Sequence, residues 1–280
     1  MHFKSLFEFL LMVAYLAEDA VAHPPDVIPH TYPPGHDPKA IAKAMANWRP
    51  DHGHQIWTLS GLREGDIMDH NPNSRNVIRD SNKLWFNYTV PYVIQPGLTQ
   101  YERSEVFKGM NLIMQGSCIK FRPYQYYTDR DYIYLRYDEV GCWSYVGRQG
   151  GGGQVVSLAR NVPEGTCLYH GVVAHELLHA IGFEHMHNNY NRDDYVWIYY
   201  NNIRAGEEHN FVKISPQEYT DYGVPYDYDS VMHYGRTAFS GNGGETIVPK
   251  DPNARTGQQE FVSRRDFLKL NTRYPCNFGK

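Results

Sequence analysis

The stretch HELLHAIGFEH, residues 175–185, sets three histidines and a glutamate inside an apolar run. In an α-helix, residues four apart share a face, so His175 and His179 can converge on one atom. His185 cannot join them along the same helix, because six further residues would carry it about 9 Å along the axis, whereas a zinc–nitrogen bond is about 2.0–2.1 Å. The chain must therefore leave the helix before His185. Gly182 permits this, since glycine tolerates the left-handed backbone that ends helices. Three neutral imidazoles suit Zn²⁺ and leave coordination positions to water or substrate, as in catalytic rather than structural sites. Glu176, next to the first histidine, would face the cleft and act as general base. Chance produces this pattern in only about 10⁻⁴ of such chains. His170 and His187 fail the spacing and read as ordinary polar residues.

The N-terminus indicates the compartment. Lys4, the apolar stretch Leu6–Ala17 and the small residues around Ala20 and Ala22 form a secretory signal over residues 1–22. That run is too short to span a bilayer, and no other approaches the necessary length, so a secreted protein without a membrane anchor is expected. Cys118, Cys142, Cys167 and Cys276 are too widely separated for a C-x-x-C site and fit two disulfides, with three connectivities open. Asn87-Tyr88-Thr89 is a glycosylation sequon. A formal net charge of -4, from 27 basic and 31 acidic residues, gives no footprint for nucleic acid.

From His23 to about Pro50 the chain is rich in proline and histidine, with a short periodic stretch AIAKAMANW, and reads as an extended segment laid over a folded body. A domain begins near Asn76. VPYVI, IKFRPY, DYIYLRYD and QVVSLA read as strands, and QYERSEVFKGMNLIM as a helix. The motif helix spans about Gly171 to Ile181, and SRRDFLKLNTRY is a helix capped by Ser263. The glycines at 150–153 lack the Lys-Ser/Thr of a phosphate loop and lead into a strand, so they read as a turn. Mostly irregular chain follows the motif, which suggests two lobes with a site between them.

HELLHAIGFEH together with SVMHYG at 230–235, RDSNKLW, CIKF, GCWSYVGRQGG and RYPC resembles the astacin family of zinc endopeptidases, within the metzincin group. The resemblance covers residues 76–276 and implies an α+β, two-lobed catalytic domain over 76–280, with a twisted sheet and helices above an active-site cleft and an irregular C-terminal lobe below. It implies one zinc held by His175, His179 and His185, with Glu176 as base. Met232 would form the turn beneath the metal. Tyr234 would be a displaceable fifth ligand that also hydrogen-bonds the oxyanion. The pairings implied are Cys118–Cys276 and Cys142–Cys167. QVVSLA would be the cleft's upper rim, its edge binding substrate as an extended strand.

By the same resemblance, residues 23–75 would be an inhibitory prosegment. REGDI, residues 63–67, is similar to the family's prosegment motif, which makes Asp66 the zinc-binding switch of a zymogen. Cleavage after Arg75, by a trypsin-like protease, would free Asn76. Two positions depart from the family: Arg63 stands where an aromatic is usual, and Met186 replaces the glutamate that engages the mature N-terminus. The expectation is a short, invertebrate-type, secreted and monomeric endopeptidase without accessory domains, acting on extracellular or dietary proteins. The alternative is a noncatalytic protein-binding module on the same scaffold.

Overall fold

The computed structural model describes residues 26–69, 81–160, 167–217 and 220–275. The expected leader at 1–22, the expected cleavage between Arg75 and Asn76, and Cys276 lie outside the described residues. Strand β1 (Thr89–Ile94) is followed by helix α2 (Gln100–Met114) and then by β2 (Lys120–Pro123), β3 (Tyr132–Arg136), β4 (Cys142–Ser144) and β5 (Gly153–Leu158). Helix α1 (Pro38–Ala46) precedes them all. The sheet order is β2-β1-β3-β5-β4, with β4 antiparallel to β5 and the other pairs parallel.

QVVSLA is therefore not the rim of the sheet. β5 lies between β3 and β4 and is buried along its whole length. A continuous apolar run is what a strand covered on both faces requires. The edge belongs to β4, in the CWSY segment, whose Ser144 N–H and carbonyl pair with the Asp66 carbonyl (3.0 Å) and the Met68 N–H (2.9 Å). Residues 66–68 thus add a short parallel strand to the sheet.

Local chemistry explains the helix positions. Thr99 caps α2, accepting from Glu102 N while Glu102 accepts from Thr99 N at 2.7 Å. Helix α3 (His170–Ala180) is buried from Gly171 to Ala180, as befits a helix that is apolar nearly all round. Its own N-cap, Tyr169, supplies no side-chain acceptor. Glu105 of α2 does so instead, accepting from the His170 N–H (3.1 Å), the His170 ring (2.7 Å) and Lys108 (2.5 Å). His170 is thus a structural residue at the helix entrance.

Burial alone would raise the Glu105 carboxyl, but the hydrogen bonds from Lys108 and His170 outweigh it and hold it below its ordinary 4.5. A carboxyl lowered in the folded state stabilises above its unfolded value, and that contribution fades as pH falls through the folded value. Glu105→Gln should cost about 1.5–3 kcal/mol at pH 7. Melting curves should show the gap from wild type closing in acid; a gap independent of pH would contradict it.

Beyond α3 lie 3-10 turns, a two-stranded ribbon of β6 (Val196–Ile198) and β7 (Ile247–Pro249), and helix α4 (Arg264–Arg273). Ser263 caps α4 with Asp266 in a reciprocal box. Asp266 then accepts from Ser230 Oγ (2.7 Å) and Val231 N (3.3 Å), anchoring the SVMHYG turn. The Cys142–Cys167 bridge ties the edge strand to the approach to α3. Cys118's expected partner is outside the described residues.

The segment before residue 70 is laid over this body, but it is not extended throughout. Asp37 accepts from Lys39 N and Ala40 N and starts α1, with Pro38 at its first turn. Ile41, Met45, Trp48, Ile56 and Trp57 join the same apolar cluster as α3, and Leu62 and Met68 pack with Trp143 and Tyr145. Near the glycine turn, Ile28 N donates to the Gly153 carbonyl at 2.8 Å. No helix among the described residues is long and apolar enough to cross a membrane.

Candidate active site

Helix α3 carries His175 and His179 one turn apart, and the helix ends at Ala180. Gly182 has φ +105°, a backbone that favours glycine, and a Cβ there would also push aside the Arg273 guanidinium, 2.3 Å away. The turn brings His185 back to its helical partners. The Nε2 atoms of His179 and His185 lie 3.2 Å apart, and those of His185 and His175 3.3 Å.

Each ring commits its other nitrogen elsewhere. His175 Nδ1 donates to the Val231 carbonyl (2.9 Å), His179 Nδ1 to the Phe183 carbonyl (2.7 Å) and His185 Nδ1 to Glu64 Oε2 (2.8 Å). These acceptors fix the tautomers so that three bare lone pairs face one another, an arrangement that a cation stabilises. The Asp66 carboxylate closes the fourth side, 3.0 Å from His175 Nε2 and 3.3 Å from His185 Nε2. All four ligand atoms lie within 4.8 Å of one another and are buried, and Asp66 Oδ1 has no hydrogen-bond partner. Nitrogen-rich donors with one carboxylate fit zinc.

The electrostatics follow from burial and crowding. Burial pushes the His175 imidazole down to about 4. Burial also opposes charge on His185, but the Asp66 and Glu64 carboxylates outweigh it and hold that ring up at about 9, a proton whose place a bound cation would take. For Asp66 burial would raise the carboxyl, yet the facing imidazoles, the His185 charge foremost, keep it well below the usual range. Burial, then the neighbouring Asp66 charge, pushes the Glu176 carboxyl well above its ordinary value. Both Glu176 oxygens are buried without a hydrogen-bond partner, so this carboxylate is not spent on holding the fold together.

The remaining expected residues fall around this centre. Met232 is buried, and its carbonyl accepts from Met186 N, the residue after the third histidine, at 3.0 Å. Tyr234 is fully buried, and its hydroxyl donates to the Glu64 carbonyl. Asn87 is exposed, with φ +50°. Met186 accepts at its sulfur from the buried Lys269 ammonium, 2.9 Å away.

Other partners were not legible in the chain. Trp57 stacks on His175 at 4.0 Å, and Glu64 braces His185. His187 is not an ordinary polar residue: it is wholly buried and stacks under Tyr234 at 3.9 Å. Glu184, one residue before the third histidine, pairs with Arg63 at 3.4 Å.

Residues 77–275 match the family described as Astacin (Peptidase family M12A). Zinc metalloproteinase nas-14 of Caenorhabditis elegans is 39% identical over 226 residues, covering 78% of this chain and 44% of that protein. Zinc metalloproteinase nas-4 of the same organism is 35% identical over 229 residues, covering 78% of this chain and 70% of that protein. This chain thus spans less than half the length of nas-14. Among solved structures, the hatching enzyme zinc-protease HCE-1 of medaka superposes with a TM-score of 0.61 at 34% identity, covering 75% of this chain and all of that one. The matched region contains the sheet, the histidine helix, the turn at Gly182 and the Met232 segment, and the chain belongs to the astacin family.

Proposed function

We propose that this chain is a secreted zinc endopeptidase made as a latent zymogen, cleaving internal peptide bonds of extracellular or dietary proteins. Residues 1–22 would direct secretion, residues 23–75 would block the cleft, and a cut after Arg75 by a trypsin-like protease would free Asn76 and the catalytic domain 76–280. The observation that carries this is the convergence of three imidazole lone pairs on Asp66, with the unpartnered Glu176 carboxylate in the same buried centre.

His175, His179 and His185 would hold the zinc, with Asp66 as the ligand that departs on activation. Bound there, zinc supplies Lewis-acid chemistry that lets water act near neutral pH. Glu176 takes a proton from the attacking water and returns it to the leaving amine. In the latent chain Asp66 fills the place this water needs, and its charge helps keep Glu176 protonated. Removing Asp66 therefore opens the position and favours the basic form of Glu176 together. Tyr234 would be released from the Glu64 carbonyl by the same event, free to serve as fifth ligand or to donate to the oxyanion.

Substrate would take the edge of β4 that residues 66–68 occupy, binding as an extended strand through main-chain hydrogen bonds. The processed enzyme would act as a monomer. The noncatalytic alternative leaves the buried, unpartnered Glu176 without a purpose.

The test is gelatin cleavage by the trypsin-processed chain under a zinc chelator. Activity should fall at least about 100-fold and return when zinc is restored. Undiminished cleavage in chelator would refute zinc dependence.

A further inference from the structure

Arg63 and Glu184 form an ion pair whose two halves have different fates. Arg63 Nη1 lies 3.0 Å from Glu64 and 3.4 Å from Glu184, and its Nε lies 2.9 Å from Asp69. Arg63, Glu64 and Asp69 all belong to the segment proposed to be removed. Glu184 remains, and it immediately precedes the ligand His185, about 3.8 Å away between Cα atoms. The departing segment therefore takes the cation of this pair with it, leaving the Glu184 carboxylate, one residue from a ligand, without Arg63.

Residues 62–65 form a tight turn, with Leu62 N donating to the Gly65 carbonyl at 3.2 Å, and Ile67 N donates to the Arg63 carbonyl at 2.9 Å. The turn holds Arg63 close to Asp66, which faces the three imidazoles. Arg63 and Glu184 line a cavity of about 950 Å³ between this turn and the lower lobe. Most of that lining belongs to residues 31–69, so removal of the segment opens the Glu184 side of the cavity to an incoming charged side chain.

We propose that Glu184 is a specificity-determining carboxylate of the processed cleft, receiving the guanidinium or ammonium of a basic substrate residue a few positions from the scissile bond, with Arg63 holding that place in the latent chain. This rests on the endopeptidase and prosegment assignments above. Partly buried charge pairs discriminate strongly, because a neutral side chain leaves the carboxylate desolvated and unpaired.

The test is cleavage-site profiling by mass spectrometry on a mixed peptide library, comparing the trypsin-processed wild-type chain with Glu184→Gln. Wild type should enrich Arg or Lys about fivefold at one position near the cut, and Glu184→Gln should lose that enrichment. Should that variant not fold, matched peptides differing only by Arg or Gln at the enriched position are compared on wild type, where kcat/KM should differ about tenfold. Cleavage without a basic preference, or a preference that survives Glu184→Gln, overturns the specificity proposal alone. No cleavage by wild type, with processing and zinc content verified, overturns the endopeptidase assignment and this proposal with it.

Discussion

Glu176→Gln in the processed chain should lower kcat/KM on a protein substrate by about 10³-fold while leaving one zinc per chain. Glutamine matches the shape of the acid but cannot accept the proton of the attacking water. The metal should stay because His175 and His179 keep the Val231 and Phe183 carbonyls that orient them, and Glu176 makes no hydrogen bond to any of the three ligands. For the same reason the substitution should not destabilise the fold: it removes a buried acid and breaks no partner. Kinetics and metal analysis on one preparation settle the point, and retained proteolysis would remove Glu176 from the chemistry.

Asp66→Ala should make the intact, uncut chain active, by at least about 100-fold over the intact wild type. The carboxylate is the group of the prosegment that faces all three imidazoles, and alanine leaves their fourth side open. The backbone pairing of Asp66 and Met68 with Ser144 involves no side chain and survives the change. Activity will therefore stay below that of the processed enzyme, because the segment still covers the β4 edge. The double substitution with Glu176→Gln should be silent, which separates cleavage by this chain from cleavage by a contaminant. An Asp66→Ala chain as silent as wild type would place the inhibition elsewhere in the segment.

The parts of this site that were legible in the sequence are those set by local geometry. The 175/179/185 spacing demands a helix that stops, and Gly182 at φ +105° is where it turns. Ser263 and Asp266 announce a helix start by their spacing alone. What was hidden joins residues far apart in the chain: Glu64 with His185, Arg63 with Glu184, and Lys269 with Met186. No periodicity encodes such pairs, because each depends on how the overlying segment and the lower lobe fold against α3. The rim strand illustrates a different failure. QVVSLA has the apolar run of an interior strand, whereas the shorter CWSY segment forms the edge. His187 shows a further limit: it fails the spacing of a ligand, yet supports one side of Tyr234 through stacking.

The central claim is that residues 23–75 hold a complete zinc site in check. Its most direct test measures gelatin cleavage and zinc content together, on the full chain before and after a cut at Arg75. One zinc per chain in both forms, with cleavage appearing only after the cut and vanishing in chelator, is the predicted result. Equal activity before and after the cut would contradict latency, and a processed chain that holds zinc but cleaves nothing would contradict the peptidase itself.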